Sequence, residues 1–271
     1  IAVEGGIAPA DLYGALTEFE NIYEQSGRAL AYAQLLHAAK TDDPAHGALL
    51  QSVQERATAI RKHLIFFEIE WLQLSDDDAE RIAADPQVER YRHHLESERC
   101  YRPHRLSEPE EKILDEKAIT GSRAFSRLFD ETLSDARFQI EVDGEIQEMN
   151  EQRALALLHH PDRHQRRVAA EGFTRGLKSH TRLLTYIFNI LVLDHKINDG
   201  LRTYPTPMAS RNLANEIDQD LVDILLSATE SGHDIVQRYY RFKARRLGLE
   251  TLYEYDRYAP NFQDQPTCDW A

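Results

Sequence analysis

The sequence predicts a mainly α protein: a multi-helix array carrying one small β-hairpin at about residues 137–147. Three observations lead there. Apolar residues recur three and four apart through most of the chain, most cleanly at Val53, Ala57, Ile60, Leu64, Phe67, Trp71 and Leu74. Helix-starting residues punctuate these stretches, as in Ser75-Asp76-Asp77-Asp78, Asp85-Pro86 and Ser107-Glu108-Pro109-Glu110. One stretch alone, Arg137 to Ile146, alternates apolar and polar residues, with Asp143-Gly144 where a two-residue turn belongs.

Composition narrows the function. At 271 residues and 42% hydrophobic content, the chain can build one large core or two ordinary ones. Its net charge of −14 repels phosphate backbones and anionic lipid, so nucleic acid and membrane surfaces are not expected partners. The basic residues Arg238, Arg241, Lys243, Arg245 and Arg246 fall in the last turns of a helix, where cations suit the dipole, and read as a solvated face. No apolar run approaches the ~18 residues of a membrane span. With Cys100 and Cys268 the only cysteines, no disulfide framework is expected, and a soluble, cytoplasmic setting follows. The opening, Ile1 to Gly6, has neither an initiator Met nor a signal-peptide plan, and the chain stops at Ala271 without a terminating signal; both read as the inside of a longer protein.

The first helix is expected from Pro9 or Asp11, on Leu12, Leu16, Phe19 and Tyr23, with a break at Thr41-Asp42-Asp43-Pro44. The second carries the long stripe, widened by Ile65, Phe66, Ile69 and Leu72, so it should pack against more than one neighbour. Short helices follow Ser75 and Asp85, the latter through Val88, Tyr91 and Leu95, ending before Pro103. Another begins at Ser107, and after Gly121 comes one with Phe125, Leu128, Phe129 and Leu133. Beyond the hairpin, Asn150 caps a helix that stops at Pro161. From Asp162 two helical stretches are then expected, separated or kinked near Gly172 to Gly176. The second, with Leu177, Leu184, Phe188 and Leu191 on one stripe and Ile187, Ile190 and Val192 beside them, is apolar most of the way round and should be central to its domain. One helix from Leu213 to a stop near Gly232, and another ending at Gly248, complete the array.

Spacing alone gives no complete active site. There is no Cys-x-x-Cys, phosphate loop, Gly-x-Ser-x-Gly elbow or His-Glu-x-x-His. His160 and His164 lie four apart, but Pro161 stands between them and they read as a turn rather than a metal site; His93-His94 read as an exposed helix face. The most distinctive stretch is the loop from Asp194 to Glu216, where Arg202, Tyr204, Arg211 and Asn212 crowd around Pro205 and Pro207. On one reading Asp194, Arg202, Arg211 and Asn212 satisfy one another and the exposed carbonyls of a sharp connection; on the other, Arg211 and Asn212, opening the next helix, offer donors to a peptide carbonyl or a carboxylate.

At this loop, from Asp194-His195-Lys196-Ile197 through Tyr204-Pro205-Thr206-Pro207-Met208 to Ser210-Arg211-Asn212-Leu213-Ala214-Asn215-Glu216-Ile217, the sequence resembles the oligoendopeptidase F branch of the M3 zinc peptidases, relatives of thimet oligopeptidase. Glu111 to Lys117, Thr120-Gly121-Ser122, the Phe138 to Ile146 hairpin and Arg246 to Asp256 agree with it; the first hundred residues agree only in being helical. The resemblance implies a helical enzyme with a deep channel that hydrolyses internal bonds of short peptides. It divides the chain into an N-terminal helical region (1–106), an oligopeptidase F-like domain with the hairpin (107–190) and the start of a zincin-type catalytic domain (191–271). Arg202, Tyr204, Arg211 and Asn212 become substrate-channel candidates. The family's zinc ligands and catalytic glutamate match no position here, so neither a catalytic residue nor a metal ligand is expected in the chain, and zinc is expected only in a longer enzyme whose motif follows residue 271. The alternative is a non-catalytic helical scaffold or a peptide- or protein-binding module.

Overall fold

The computed structural model describes residues 7–261. The opening at residues 1–6, Cys268 and the end at Ala271 lie outside them. By contact the described chain groups into two units, residues 7–128 with 189–219, and residues 129–188 with 220–261. The architecture is helical with a single two-stranded antiparallel sheet among the described residues.

Two long helices start on prolines whose missing amide proton would have had no partner there. They are α1 (Pro9–Ala39) and α2 (Pro44–Gln73), and the Asp43 carboxylate accepts from the Ala45 amide at 3.0 Å to cap the second. Serine and aspartate caps then set α3 (Asp76–Ala83), where Ser75 Oγ accepts from the Asp78 amide, and a 3-10 turn at Pro86–Tyr91, where Asp85 accepts from Gln87. The stretch through Val88, Tyr91 and Leu95 is therefore not one helix. A 3-10 turn aligns residues three apart, which puts Val88 and Tyr91 on the core side before α4 (Arg92–Cys100) resumes with Leu95.

These elements share one core: Leu12, Leu16, Phe67, Trp71, Leu72, Ala79, Ile82, Val88, Tyr91 and Leu95. Trp71 is its hub, 2% exposed, with its indole N–H donating to the Leu95 carbonyl at 3.0 Å. Of the stripe on α2, Phe67 and Trp71 are buried, whereas Ile60 is 40% exposed and the burial passes instead to Leu50, Thr58, Ile65, Ile69 and Leu72. After a second 3-10 turn at Arg102–His104, α5 (Glu108–Thr120) opens with the Glu110 carboxylate accepting from both the amide (2.9 Å) and hydroxyl (2.6 Å) of Ser107. Then comes α6 (Ser122–Asp135).

The hairpin forms where the alternation predicts it, as β1 (Phe138–Val142) and β2 (Glu145–Met149), with Phe138 opposite Met149 and Val142 opposite Glu145. Asp143 (φ 53°) and Gly144 (φ 83°) both take the left-handed conformation that a type I′ turn requires. One face of the sheet buries Phe138, Ile140 and Met149 against Ala154 of α7 (Glu151–Ala156) and Ala169 of α8 (Arg163–Ser179). Asn150 and Asp162 cap these two helices through the amides of Arg153 and His164.

Gly172 and Gly176 do not divide this region. Helix α8 runs straight through them, and the break falls at His180, before α9 (Thr181–Leu201). The glycines are places of close approach. A Cβ on Gly172 would lie 2.7 Å from the Gln139 carbonyl oxygen, and one on Gly176 would lie 2.4 Å from the Phe138 ring. Helix α9 is not central either. Only Ile187 is buried along it, and Phe188 (66%) and Val192 (52%) are exposed among the described residues.

The expected helix from Leu213 to Gly232 is two helices, α10 (Ala209–Ala214) and α11 (Gln219–Ser231), separated at Glu216, whose φ is 53°. Next is α12 (His233–Arg246), which ends before Gly248 (φ 67°). Its basic cluster is not wholly a solvated face, since Lys243 is buried and donates to the Arg257 carbonyl at 2.7 Å. A 3-10 turn at Glu254–Asp256 sends the fully buried Asp256 between Arg163 and Arg166 of α8, each 2.9 Å away.

In an open helix, Gly→Ala is stabilising by about 1 kcal/mol. Gly172→Ala should do the reverse, lowering stability by about 1–3 kcal/mol, because the methyl meets a sheet carbonyl that cannot turn aside. A urea titration checks this, and an unchanged or raised midpoint would contradict the close packing of α8 on β1.

Candidate functional site

The sequence singled out the connection after α9, and its geometry begins with how that helix ends. The Tyr204 amide donates to the Asp199 carbonyl (2.9 Å) and the Thr203 amide to the Gly200 carbonyl (3.3 Å), which is a Schellman ending with Thr203 in the left-handed position at φ 57°. That position favours glycine, and a β-branched residue there is strained.

Arg202, just before it, reaches back to α5. Its Nη1 and Nη2 donate to the two carboxylate oxygens of Glu111 at 2.7 and 2.8 Å, and Nη1 also donates to the His104 carbonyl at 3.3 Å. Glu111 is 7% exposed. One of its oxygens also accepts from the Leu106 amide at 3.1 Å, with Arg105 Nε 3.8 Å away, and Arg105 pairs in turn with Glu68. The His104 ring bonds the Arg202 carbonyl through Nδ1 (2.9 Å) and stacks on Tyr204 with ring centres 3.9 Å apart.

This network forms part of the wall of a cleft of about 1030 Å³. Phe19 and Tyr23 of α1, Arg61 and Glu68 of α2, His94 and Glu98 of α4, Asp115 of α5 and Asn198 of α9 complete much of the lining. Charges alternate along it: Arg123 donates to Asp115 at 2.5 Å, and Arg61 lies 3.6 Å from the same carboxylate. Burial pushes the Glu111 carboxyl up, but hydrogen bonds from Arg202 and the Leu106 amide, with the charges of Arg202 and Arg105, outweigh it and hold the group below the usual glutamate range. Arg202 is raised, chiefly by its bonds to Glu111, whereas burial lowers Arg105. Burial raises Glu98, against the nearby His94, and raises Tyr23 and Tyr204.

Of the four candidates, Arg202 alone borders the cleft. Tyr204 is half-buried on His104, Arg211 is exposed, and Asn212 is buried with its side-chain amide donating to Gln219 Oε1 at 2.8 Å. Three participants escaped the sequence: Glu111, His104 and Glu216. The last accepts from Ser97 Oγ (2.8 Å) and pairs with His93 (2.9 Å). None carries a local signal for its partner, because Glu111 and Arg202 lie 91 residues apart.

The arrangement supplies fixed hydrogen-bond donors, carboxylates and aromatic walls, the means of binding and orienting a polar chain. Among the described residues no group of three His, Cys, Asp or Glu side chains could hold a metal ion. His159, His160 and His164 sit around the turn into α8, where His160 Nδ1 accepts from the Asp162 amide.

In sequence and in fold the chain is similar to the N-terminal part of peptidases of the oligoendopeptidase F type. A family model described as Oligopeptidase F matches residues 70–138. The chain is 27% identical over 258 residues to the Group B oligopeptidase PepB of Streptococcus agalactiae, covering 91% of this chain and 42% of that one. It is 22% identical over 261 residues to the oligopeptidase PepF of Bacillus subtilis, covering 93% and 38%. In fold it matches the crystal structure of oligoendopeptidase-F from Enterococcus faecium with a TM-score of 0.82, at 24% identity over 94% of this chain and 51% of that one. The chain is thus oligoendopeptidase F-like, and spans about two-fifths of the length of the curated relatives it matches.

Because Glu111 is held below its ordinary value of 4.5, its contribution to stability is fully present above that pH and is lost as pH falls through the depressed folded value. Glu111→Gln should cost about 2–3 kcal/mol near pH 7, the low end for a broken buried pair because solvent reaches Arg202. The gap from the unsubstituted protein should persist to about pH 5 and narrow below it. Denaturant titrations across that range check the sign, and a gap that widens on acidification contradicts it.

Proposed function

We propose that the chain is the N-terminal and central part of a zinc-dependent oligoendopeptidase that hydrolyses internal bonds of short peptides in the cytoplasm. The observation that carries this reading is the match in fold to the Enterococcus faecium oligoendopeptidase-F over 94% of the chain, at a TM-score of 0.82. The catalytic motif lies beyond residue 271, with residues 1–106, 107–190 and 191–271 as helical region, hairpin-bearing domain and start of the catalytic domain. Zinc in the whole enzyme supplies a Lewis acid for the scissile carbonyl. The residues of this chain bind and orient the peptide. No helix among the described residues is long and apolar enough to cross a membrane, which is compatible with that setting.

Within this reading the connection after α9 contributes one wall of the channel. The exposed Arg211 presents a guanidinium to a peptide carbonyl or carboxylate, and Tyr204 a phenol ring. Asn212 shapes the wall from behind, since its amide is already engaged with Gln219.

Reading the coding sequence past residue 271 tests the proposal directly: a His-Glu-x-x-His motif is expected, and a stop codon would leave the non-catalytic binding module. As isolated, residues 1–271 should retain no stoichiometric zinc and cleave no quenched-fluorescent peptide. Metal-dependent turnover by that chain would overturn the assignment of catalysis to later sequence. In the longer enzyme, Arg211→Ala should reduce kcat/KM by about tenfold while leaving the melting temperature nearly unchanged, as expected for an exposed donor to bound peptide. A large drop in melting temperature would make Arg211 a structural residue instead.

A further inference from the structure

We propose that Glu111 is a positioning residue for the connection at residues 202–208, acting through Arg202 to fix where Tyr204 stands. Only the expected effect on peptide turnover rests on the oligoendopeptidase reading; the positioning itself rests on geometry.

The direction of control follows from what each partner is tied to. Glu111 sits within α5, 7% exposed, and would be held without the loop: it accepts from the Leu106 amide and stands beside Arg105, which is anchored on Glu68 of α2. Arg202 lies past the last turn of α9, at the start of an irregular connection, and takes its place from the two parallel bonds to Glu111. A guanidinium fork matched to a carboxylate in this way fixes direction as well as distance, which a lysine ammonium cannot do.

The strain at Thr203 explains why such a fix is needed. A threonine at φ 57° does not keep that conformation by its own preference, so its neighbours must impose it. On one side Arg202 is clamped by Glu111. On the other, Tyr204 stacks on His104, whose ring bonds the Arg202 carbonyl while the Arg202 side chain bonds the His104 carbonyl. The four residues close a ring with the carboxylate at its fixed end. Arg202 is therefore committed inside the protein. It cannot grip a peptide carboxylate without releasing Glu111, and Tyr204 is the group it places.

The test uses residues 1–271 and proton NMR of the His104 ring, which stacking on Tyr204 shifts upfield. Tyr204→Leu supplies the unstacked reference. Glu111→Gln, which keeps the shape but not the charge, should move the His104 ring signals to that reference and speed limited proteolysis between Thr203 and Met208 by about tenfold, as expected for a loop released from its anchor. Should that variant not fold, Arg202→Lys, which keeps the charge but not the fork, should give an intermediate shift. Glu98→Gln, a cleft carboxylate outside the ring, should leave the signals where they are. A His104 that stays stacked in folded Glu111→Gln or Arg202→Lys protein would overturn the proposal, whatever the change in melting temperature. In the longer enzyme, Glu111→Gln should raise KM with kcat held within about twofold, the pattern of lost uniform binding. Unaltered KM alongside a lost stack would count against the channel reading of this loop and leave the positioning role standing.

Discussion

A carboxylate that is 7% exposed must be surrounded by donors, and much of the cleft in the first unit is arranged around meeting that requirement for Glu111. Burying an ion pair gains little net stability, because desolvation of both charges opposes their attraction. Breaking it is costly, because the remaining charge has nowhere to go. Such a pair acts less as glue than as a rule on which arrangements are allowed. Here it allows those in which the end of α9 meets α5 with Arg202 turned inward, and the chain of alternating charges through Arg105 and Glu68 carries the same rule across to α2.

The same economy appears at helix ends. Three helices close with a left-handed residue and paired backbone bonds: Thr203 after α9, Glu216 after α10 and Gly248 after α12. Glycine takes that conformation without strain; threonine and glutamate do not. The two strained endings are the ones whose neighbouring side chains make long-range bonds, Arg202 and Tyr204 to α5 and His104, and Glu216 to His93 and Ser97 of α4. The third ending uses glycine. Strain is found where a tertiary contact holds the backbone in place.

This division accounts for what could be read in the sequence. Caps at Ser75, Asp85 and Asn150, and the Asp143-Gly144 turn, depend on residues within a few positions of one another, and each formed as the chain alone predicts. The break at Glu216 was hidden because nothing in Leu213, Ile217 and Leu221 interrupts a helical period. The glycines of α8 were misread because a missing side chain has two local meanings, helix breaking and close packing. Only the position of β1, more than thirty residues earlier, decides between them. The buried Asp256 with Arg163 and Arg166 had no signature at all, since an aspartate in a polar tail looks solvent-bound until α8 is placed beside it.

Candidate residues for function follow the same logic, and Arg202 shows its limit. Type and setting, an arginine at a proline-stiffened loop, could not say whether the acceptor was a ligand or the protein's own carboxylate. A partner 91 residues away decides it. Arg211, nine positions later in the same loop, is exposed, whereas Arg202 is committed to Glu111. One of the four channel candidates, Arg202, is thus a residue that the fold has already satisfied.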